Sequence, residues 1–228
     1  MPSEESAGAA GPAPADLDAQ REHWESAFSR RREMFGAQAS EAARQAAALF
    51  RKERVGRLLE LGAGQGRDTL LFARAGFRTF ALDYARAGLE ALAEKARSEG
   101  MGARVLPVCH DVRTPLPFPA GVFDAAFSHM LYCMALTRDD LRRLAREVWR
   151  VVRPGGRIVY TVRHTGDPHC GRGTALGESL YQLEGFVVHY FSRELVDELG
   201  EGCVLEECEP FEEGALPRKL WRVVQRRL

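Results

Sequence analysis

The 228-residue sequence lacks several features that would place it in large protein classes. Cysteine occurs five times, at Cys109, Cys133, Cys170, Cys203 and Cys208, with no Cys-x-x-Cys pair. An odd number without regular spacing indicates neither a disulfide framework nor a zinc ribbon. No apolar run approaches the length needed to cross a bilayer, and the amino terminus lacks the basic-then-apolar order of a secretion signal. A reducing, cytoplasmic setting without membrane contact is expected. Excess charge is missing too: 32 basic and 32 acidic side chains cancel, which argues against a nucleic-acid partner. The phosphate-loop Gly-Lys-Ser/Thr is also absent.

The length suits one α/β domain with a full core and is too short for two ordinary ones. Residues 1–16 are small, rich in Pro and Gly and free of aromatics, so a disordered tail is expected there. Residues 17–228 read as a single domain in which 17–54 form a helical cap. In the cap Trp24, Phe28, Phe35, Leu49 and Phe50 are the apolar anchors. Phe35-Gly36 breaks the stretch in two, and Ser40 is placed to cap the second helix. Strands are predicted at 57–61, 79–82, 104–108, 123–127 and 157–162, with helices at about 67–76, 86–99 and 138–152 between them. Such alternation of apolar strands and helices implies an α/β fold with a parallel sheet covered on both faces. A helix over 192–199 precedes two strand-like runs, 203–208 and 219–224. With no crossover helix between them, these runs predict an antiparallel hairpin at the sheet edge.

The chemistry concentrates where the first strand ends. Gly62-Ala63-Gly64-Gln65-Gly66 turns from strand into helix, and glycines there let a backbone approach a ligand closely. The third glycine follows the second by two residues, whereas the dinucleotide fingerprint needs three. Glu60 stands two residues before the turn. Asp83 ends the second strand 21 residues after Gly62, where an acid can accept bonds from both ribose hydroxyls. Asp111 follows the third strand and can take an exocyclic adenine amine. Asp68, in the first helical turn, is either a partner of the helix dipole or a ligand to an amino-acid moiety. Each feature alone is equally well a tight turn or a solvated strand end; the ordered set is not.

At these residues the sequence resembles the class I S-adenosylmethionine-dependent methyltransferase superfamily. The likeness covers about residues 55–165: Glu60-x-Gly62-x-Gly64-x-Gly66, Asp83, Asp111-Val112, Phe118-Pro-x-x-x-Phe123-Asp124 and Arg150-Val-Val-Arg-Pro-Gly-Gly-Arg157. It implies a Rossmann-like, seven-stranded, mostly parallel sheet with an antiparallel last strand. It also implies S-adenosylmethionine as co-substrate and no metal. Gly62 and Gly64 would meet the methionyl end, Asp83 the ribose, Tyr84 the adenine face, and Asp111 with Val112 the adenine edge. Ala63, Gly66, Ser128 and Trp24 complete the expected cofactor contacts. The Gly-Gln-Gly-Arg-Asp68 ending and the Trp24/Phe28/Phe35 helices further resemble the tellurite-resistance and thiopurine methyltransferase-like branch, whose amino-terminal helices close over the cofactor.

The methyl acceptor is less legible. Methyl transfer from a sulfonium needs the nucleophile held near contact, water excluded and, for a weak nucleophile, a proton removed. Candidates follow the fourth strand (Ser128-His129-Met130-Leu131-Tyr132-Cys133-Met134) and the fifth (Arg163-His164-Thr-Gly-Asp167-Pro-His169-Cys170). A Gly-rich stretch then leads to His189-Tyr190-Phe191. In one reading His129, His164 or His189 is a general base, with Arg163 and Tyr132 orienting the acceptor. In another, His and Cys side chains bind a soft metal or metalloid, although no pair has tight ligand spacing. In the plainest, they only pack the loops. Glu212-Glu213 reads most simply as a solvated loop, while its place beside the rim leaves a role toward the acceptor open. No Asn-Pro-Pro-Tyr or Asp-Pro-Pro-Tyr follows the fourth strand, which disfavours a planar amide or base nitrogen of that type. A small-molecule acceptor (thiol, amine, hydroxyl or chalcogen species) is therefore expected, with a protein- or nucleic-acid-modifying enzyme and a non-catalytic binding subunit as alternatives. A monomer or homodimer is expected.

Overall fold

A computed structural model describes residues 14–214 and 218–228. The expected tail thus lies outside the described residues up to position 13, while Pro14–Asp16 already belong to the first helix. That helix, α1 (Pro14–Arg30), precedes α2 (Glu41–Lys52), whose N-cap is Ser40: its side chain accepts from the Ala43 N–H.

From there the chain alternates: β1 (Arg57–Leu61), α3 (Arg67–Arg74), β2 (Arg78–Asp83), α4 (Arg86–Ser98), β3 (Val105–Cys109), β4 (Phe123–His129), α5 (Arg138–Val151) and β5 (Val152–Arg163). Then come three short strands, β6 (Thr174–Gly177), β7 (Leu180–Leu183) and β8 (Phe186–His189). The chain closes with α6 (Arg193–Glu198), β9 (Cys203–Glu213) and β10 (Arg218–Arg227).

The main sheet has seven strands in the order β3-β2-β1-β4-β5-β10-β9. β1 to β5 pair in parallel, whereas β10 runs antiparallel to both β5 and β9. The expected edge hairpin is therefore β9–β10, reached after α6 has reversed the chain. Strand order switches direction between β1 and β4, so the crevice for a ligand opens at their carboxyl ends. Four of the five β1 residues are buried. One sheet face packs Phe50, Phe72, Phe77 and Phe127; the other packs Leu141, Leu144, Val148 and Ile158 around Tyr160. Burying each of those phenylalanines contributes about 1.5–3 kcal/mol.

Two local features differ from the sequence reading. The Pro154-Gly155-Gly156 segment lies inside β5, not before it. Phe123 pairs with Val152 but Ala125 already with Arg157, so the intervening residues bulge out of the ladder. A Cβ on Gly156 would sit 2.6 Å from the Asp124 carbonyl oxygen, so the bulge presses on β4 where only glycine fits. The Gly-rich stretch after β5, read as loop, is a three-stranded antiparallel sheet ordered β6-β7-β8. Its second turn, Glu184-Gly185, has both φ positive (52° and 84°), the geometry that suits a two-residue hairpin.

Candidate active site

A cavity of about 1330 Å³ opens at the crevice. Its floor is the turn from β1 to α3. The Gly62 and Ala63 N–H groups donate to the Leu82 carbonyl, which holds the turn against β2. Gly66 caps α3 at φ 83°, and a Cβ there would fall 2.1 Å from Leu92 Cδ1 of α4. Glycine at 66 is thus demanded twice, by backbone and by packing.

Carboxylates surround this turn. Asp83 is buried at the end of β2; its Oδ2 accepts from the Gly64 N–H (2.8 Å) and its Oδ1 from the Ala85 N–H (2.9 Å). Burial raises its pKa, against the pull of those N–H groups. Glu60 is also buried, and its Oε2 has no hydrogen-bond partner among the described residues. Burial, then the neighbouring Asp68 and Asp83, push its pKa well up. Both Asp68 oxygens are taken by Ser40, one by its N–H (2.7 Å) and one by its hydroxyl (2.9 Å). Asp68 therefore ties α3 to the start of α2.

A narrow slot of about 30 Å³ continues the floor, sharing Gly62, Asp83, Tyr84, Leu131 and Met134 with the large cavity. Asp111 and Val112 line it. Arg113 grips Asp111 (Nη2 to Oδ2, 2.6 Å) and reaches Asp18 on α1 (2.8 Å). Burial opposes ionisation of Asp111, but the Arg113 hydrogen bonds outweigh it and lower the pKa.

The roof comes from α1 and the small sheet. Trp24 packs on Phe28, Phe35 and Phe186, with ring centroids 5.2–6.1 Å apart. Gln20 fastens the two parts together, donating to the Gly185 carbonyl and accepting from the Val187 N–H. Glu25 accepts from the Ala87 N–H at the start of α4. The cofactor turn is thus covered by residues far away in sequence.

At the opposite end, past β4 and β5, the cavity is polar. His129 Nδ1 lies 2.9 Å from Thr161 Oγ1 and its Nε2 lies 3.0 Å from Glu213 Oε2. Met130, the next residue, adopts φ 68°, a costly conformation for a non-glycine residue. Arg163 is held by Asp167 through Nε (3.1 Å) and Nη2 (2.6 Å), and Nη2 also meets His169 Nδ1. Tyr190 lies beneath the guanidinium, 5.1 Å from ring centroid to Cζ. Among the described residues no group of three or more His, Cys, Asp or Glu has the geometry to hold a metal ion.

Residues 58–156 match the profile of a family described as "Methyltransferase domain". Over that stretch, which is under half of the chain, the sequence carries the features of this methyltransferase domain. Solved structures share the fold. The Burkholderia thailandensis 1,6-didemethyltoxoflavin-N1-methyltransferase, bound to 1,6-didemethyltoxoflavin and S-adenosylhomocysteine, superposes with a TM-score of 0.74 at 20% identity, over 95% of this chain and 91% of that one. TehB from Haemophilus influenzae superposes with a TM-score of 0.67 at 15% identity, over 90% and 67% of the two chains. The CcbJ methyltransferase from Streptomyces caelestis gives 0.66 at 20% identity, over 86% and 100%. No curated protein matches the sequence.

Measured against this methyltransferase frame, Gly62, Ala63, Gly64, Gly66, Glu60, Asp83, Tyr84 and Trp24 all line the large cavity, as do His129 and Arg163. Four expectations are corrected. Ser128 is buried in β4 and lines neither cavity; its neighbour His129 points the other way, as strand alternation requires. Tyr132 is a core residue stacked on Tyr160 (4.8 Å between centroids). His164 follows Arg163 and so faces away, stacked on Trp221 at 4.6 Å. His189 is buried with its Nδ1 against the Leu136 carbonyl (2.9 Å), and burial lowers its pKa. Asp68 lines the cavity but is committed to Ser40. Among the polar wall residues outside the expected set are His169 and Glu213. Glu213 had a weak sequence signal as a paired acid near the rim.

Proposed function

We propose that this methyltransferase acts on a small molecule inside the cavity, and not on a protein or nucleic acid. The observation that carries the reading is a deep cleft walled on several sides. Walls come from α1, the glycine turn, β4, β5 and the β7–β8 hairpin. The volume exceeds the range of about 300–1,000 Å³ usual for one small ligand, which leaves space for a donor and an acceptor together. The Burkholderia thailandensis neighbour, with a small acceptor in its name, supports the same class.

The residues fit the donor. S-adenosylmethionine, when bound, supplies an electrophilic methyl group on a sulfonium. Gly62, Ala63, Gly64 and Gly66 would lie against its methionyl part, where any side chain at 62 or 66 would collide with Leu131 or Leu92. Glu60 lines the same end, with its buried Oε2 unpartnered among the described residues. Asp83 would hold the ribose and Tyr84 the adenine face. Asp111 and Val112 would take the adenine edge once Arg113 and the Leu131–Leu136 segment yield. His129 and Arg163 remain for the acceptor, held in place by Thr161 and Asp167.

The test is a screen of thiols, selenols, small amines and phenols for S-adenosylhomocysteine release. Turnover of at least one class is expected. Turnover only on tRNA or protein would reject the reading.

A further inference from the structure

The acceptor end contains one carboxylate whose placement the fold does not require. β9 is the outermost strand, three positions from β4 in the sheet. Neighbouring strands lie about 4.8 Å apart, so the β9–β10 hairpin must curl over the sheet for Glu213 to reach His129 at 3.0 Å. Both side chains line the cavity.

The hydrogen bonds decide which of the two can accept a proton. Thr161 Oγ1 accepts from the Met130 N–H (3.2 Å), and because the Glu213 carboxylate beside Nε2 only accepts, the Thr161 hydroxyl donates to Nδ1 of the neutral ring. That arrangement leaves the imidazole hydrogen on Nε2, donated to Glu213 Oε2. Neither ring nitrogen then offers a lone pair to the cavity. Glu213 keeps its other oxygen, Oε1, whose nearest cation is Arg67 at 3.8 Å. Burial opposes the Glu213 charge, but the His129 bond outweighs it, with help from Arg67 and Arg218, and lowers the pKa. The group is therefore an anion at neutral pH.

We propose that Glu213 takes the acceptor's proton, with His129 as its positioning residue, and that the acceptor is accordingly a neutral N–H or O–H nucleophile. The inference rests on the small-molecule reading above. As the acceptor's lone pair forms the new bond to the methyl carbon, the C–S bond breaks with its electrons going to sulfur, and S-adenosylhomocysteine leaves uncharged. The acceptor's N–H or O–H bond gives its electrons to the methylated atom and its proton to Glu213 Oε1. A carboxylate is a weak base, but it suffices because an N–H or O–H becomes strongly acidic as the methyl bond forms. Thiolates, selenolates and tellurite carry their lone pair already ionised. They need no base, and the Glu213 charge would oppose them.

The test uses the full chain, S-adenosylmethionine and a phenol series of graded acidity, from unsubstituted phenol to 4-nitrophenol, with thiophenol beside them. Glu213→Gln is expected to lower kcat on the least acidic phenols by about 100- to 10,000-fold. The loss should shrink steadily with acidity and vanish for the phenol already ionised, while donor affinity stays within about twofold. Glu213→Asp should recover part of the rate. An equal loss across the series would show a purely structural role and overturn the proposal, as would thiophenol turning over faster than every neutral phenol. If the wild type turns over neither phenols nor thiophenol, an aniline series of graded acidity takes their place with the same expected pattern, whereas turnover only on tRNA or protein would sink the small-molecule reading, and this proposal with it. A readout without turnover is the ¹⁵N spectrum of His129: a proton on Nε2 is expected, and a bare Nε2 overturns the assignment.

Discussion

Asp83→Ala is expected to weaken S-adenosylmethionine binding by at least about 100-fold. Two effects act together. The carboxylate shapes the turn by accepting the Gly64 and Ala85 N–H groups at 2.8 and 2.9 Å. Alanine leaves both donors without their partner in a buried place, at about 1–3 kcal/mol each. It also removes the only described acid at the end of β2 that can accept ribose hydroxyls, and a hydrogen bond to a charged group contributes about 1.5–3 kcal/mol. Calorimetric titration of wild type and variant is the check. Asp83→Asn, which keeps one acceptor oxygen, should fall between them. Affinity within threefold of wild type for the alanine variant would show that the ribose is held elsewhere.

Gly66→Ala should be the most damaging single-methyl change in the cofactor turn. Two independent penalties meet at this position. The backbone at φ 83° disfavours any L side chain, by about 1–2 kcal/mol. The new Cβ also meets Leu92 Cδ1 at 2.1 Å, and Leu92 is fully buried between α3 and α4. Overpacking of that kind costs about 1–3 kcal/mol. The sum, about 2–5 kcal/mol, corresponds to a fall in Tm of very roughly 5–15 °C for a chain of this size. In a Leu92→Ala background only the contact with Cβ of residue 92 at 3.1 Å is left, so the same change should cost little beyond the backbone part. Urea unfolding of the four proteins in this cycle measures both parts. A cost under about 0.5 kcal/mol for the single variant would contradict the packing described.

How far these features could be read from sequence depends on whether they are local. β1, β2, β4 and β5 were legible because parallel strands buried on both faces leave unbroken apolar runs such as Leu58-Leu59 and Ala125-Ala126-Phe127. The glycine turn and Asp83 were legible for the same reason, since both sit at the ends of those runs. The β6–β8 sheet was not: strands of four residues with Thr174, Gln182 and glycines show no period, and their turns use Glu178-Ser179 and Glu184-Gly185 in place of Asn-Gly. Among the histidines, alternation along β5 was the missed signal. Thr161 and Arg163 share one face of the strand, so His164 had to face the other way. Glu213 had only its place near the rim as a signal, and its partnership with His129 was out of reach because it arises from a hairpin curling over the sheet, which no spacing along the chain encodes.

The measurement closest to the central claim is calorimetric titration of S-adenosylmethionine into the full chain. Walls formed by Gly62, Gly64, Asp83 and Tyr84 at the floor of one cavity predict a single site of micromolar or tighter affinity, with S-adenosylhomocysteine competing for it. No detectable binding of either compound at millimolar concentration would contradict the account.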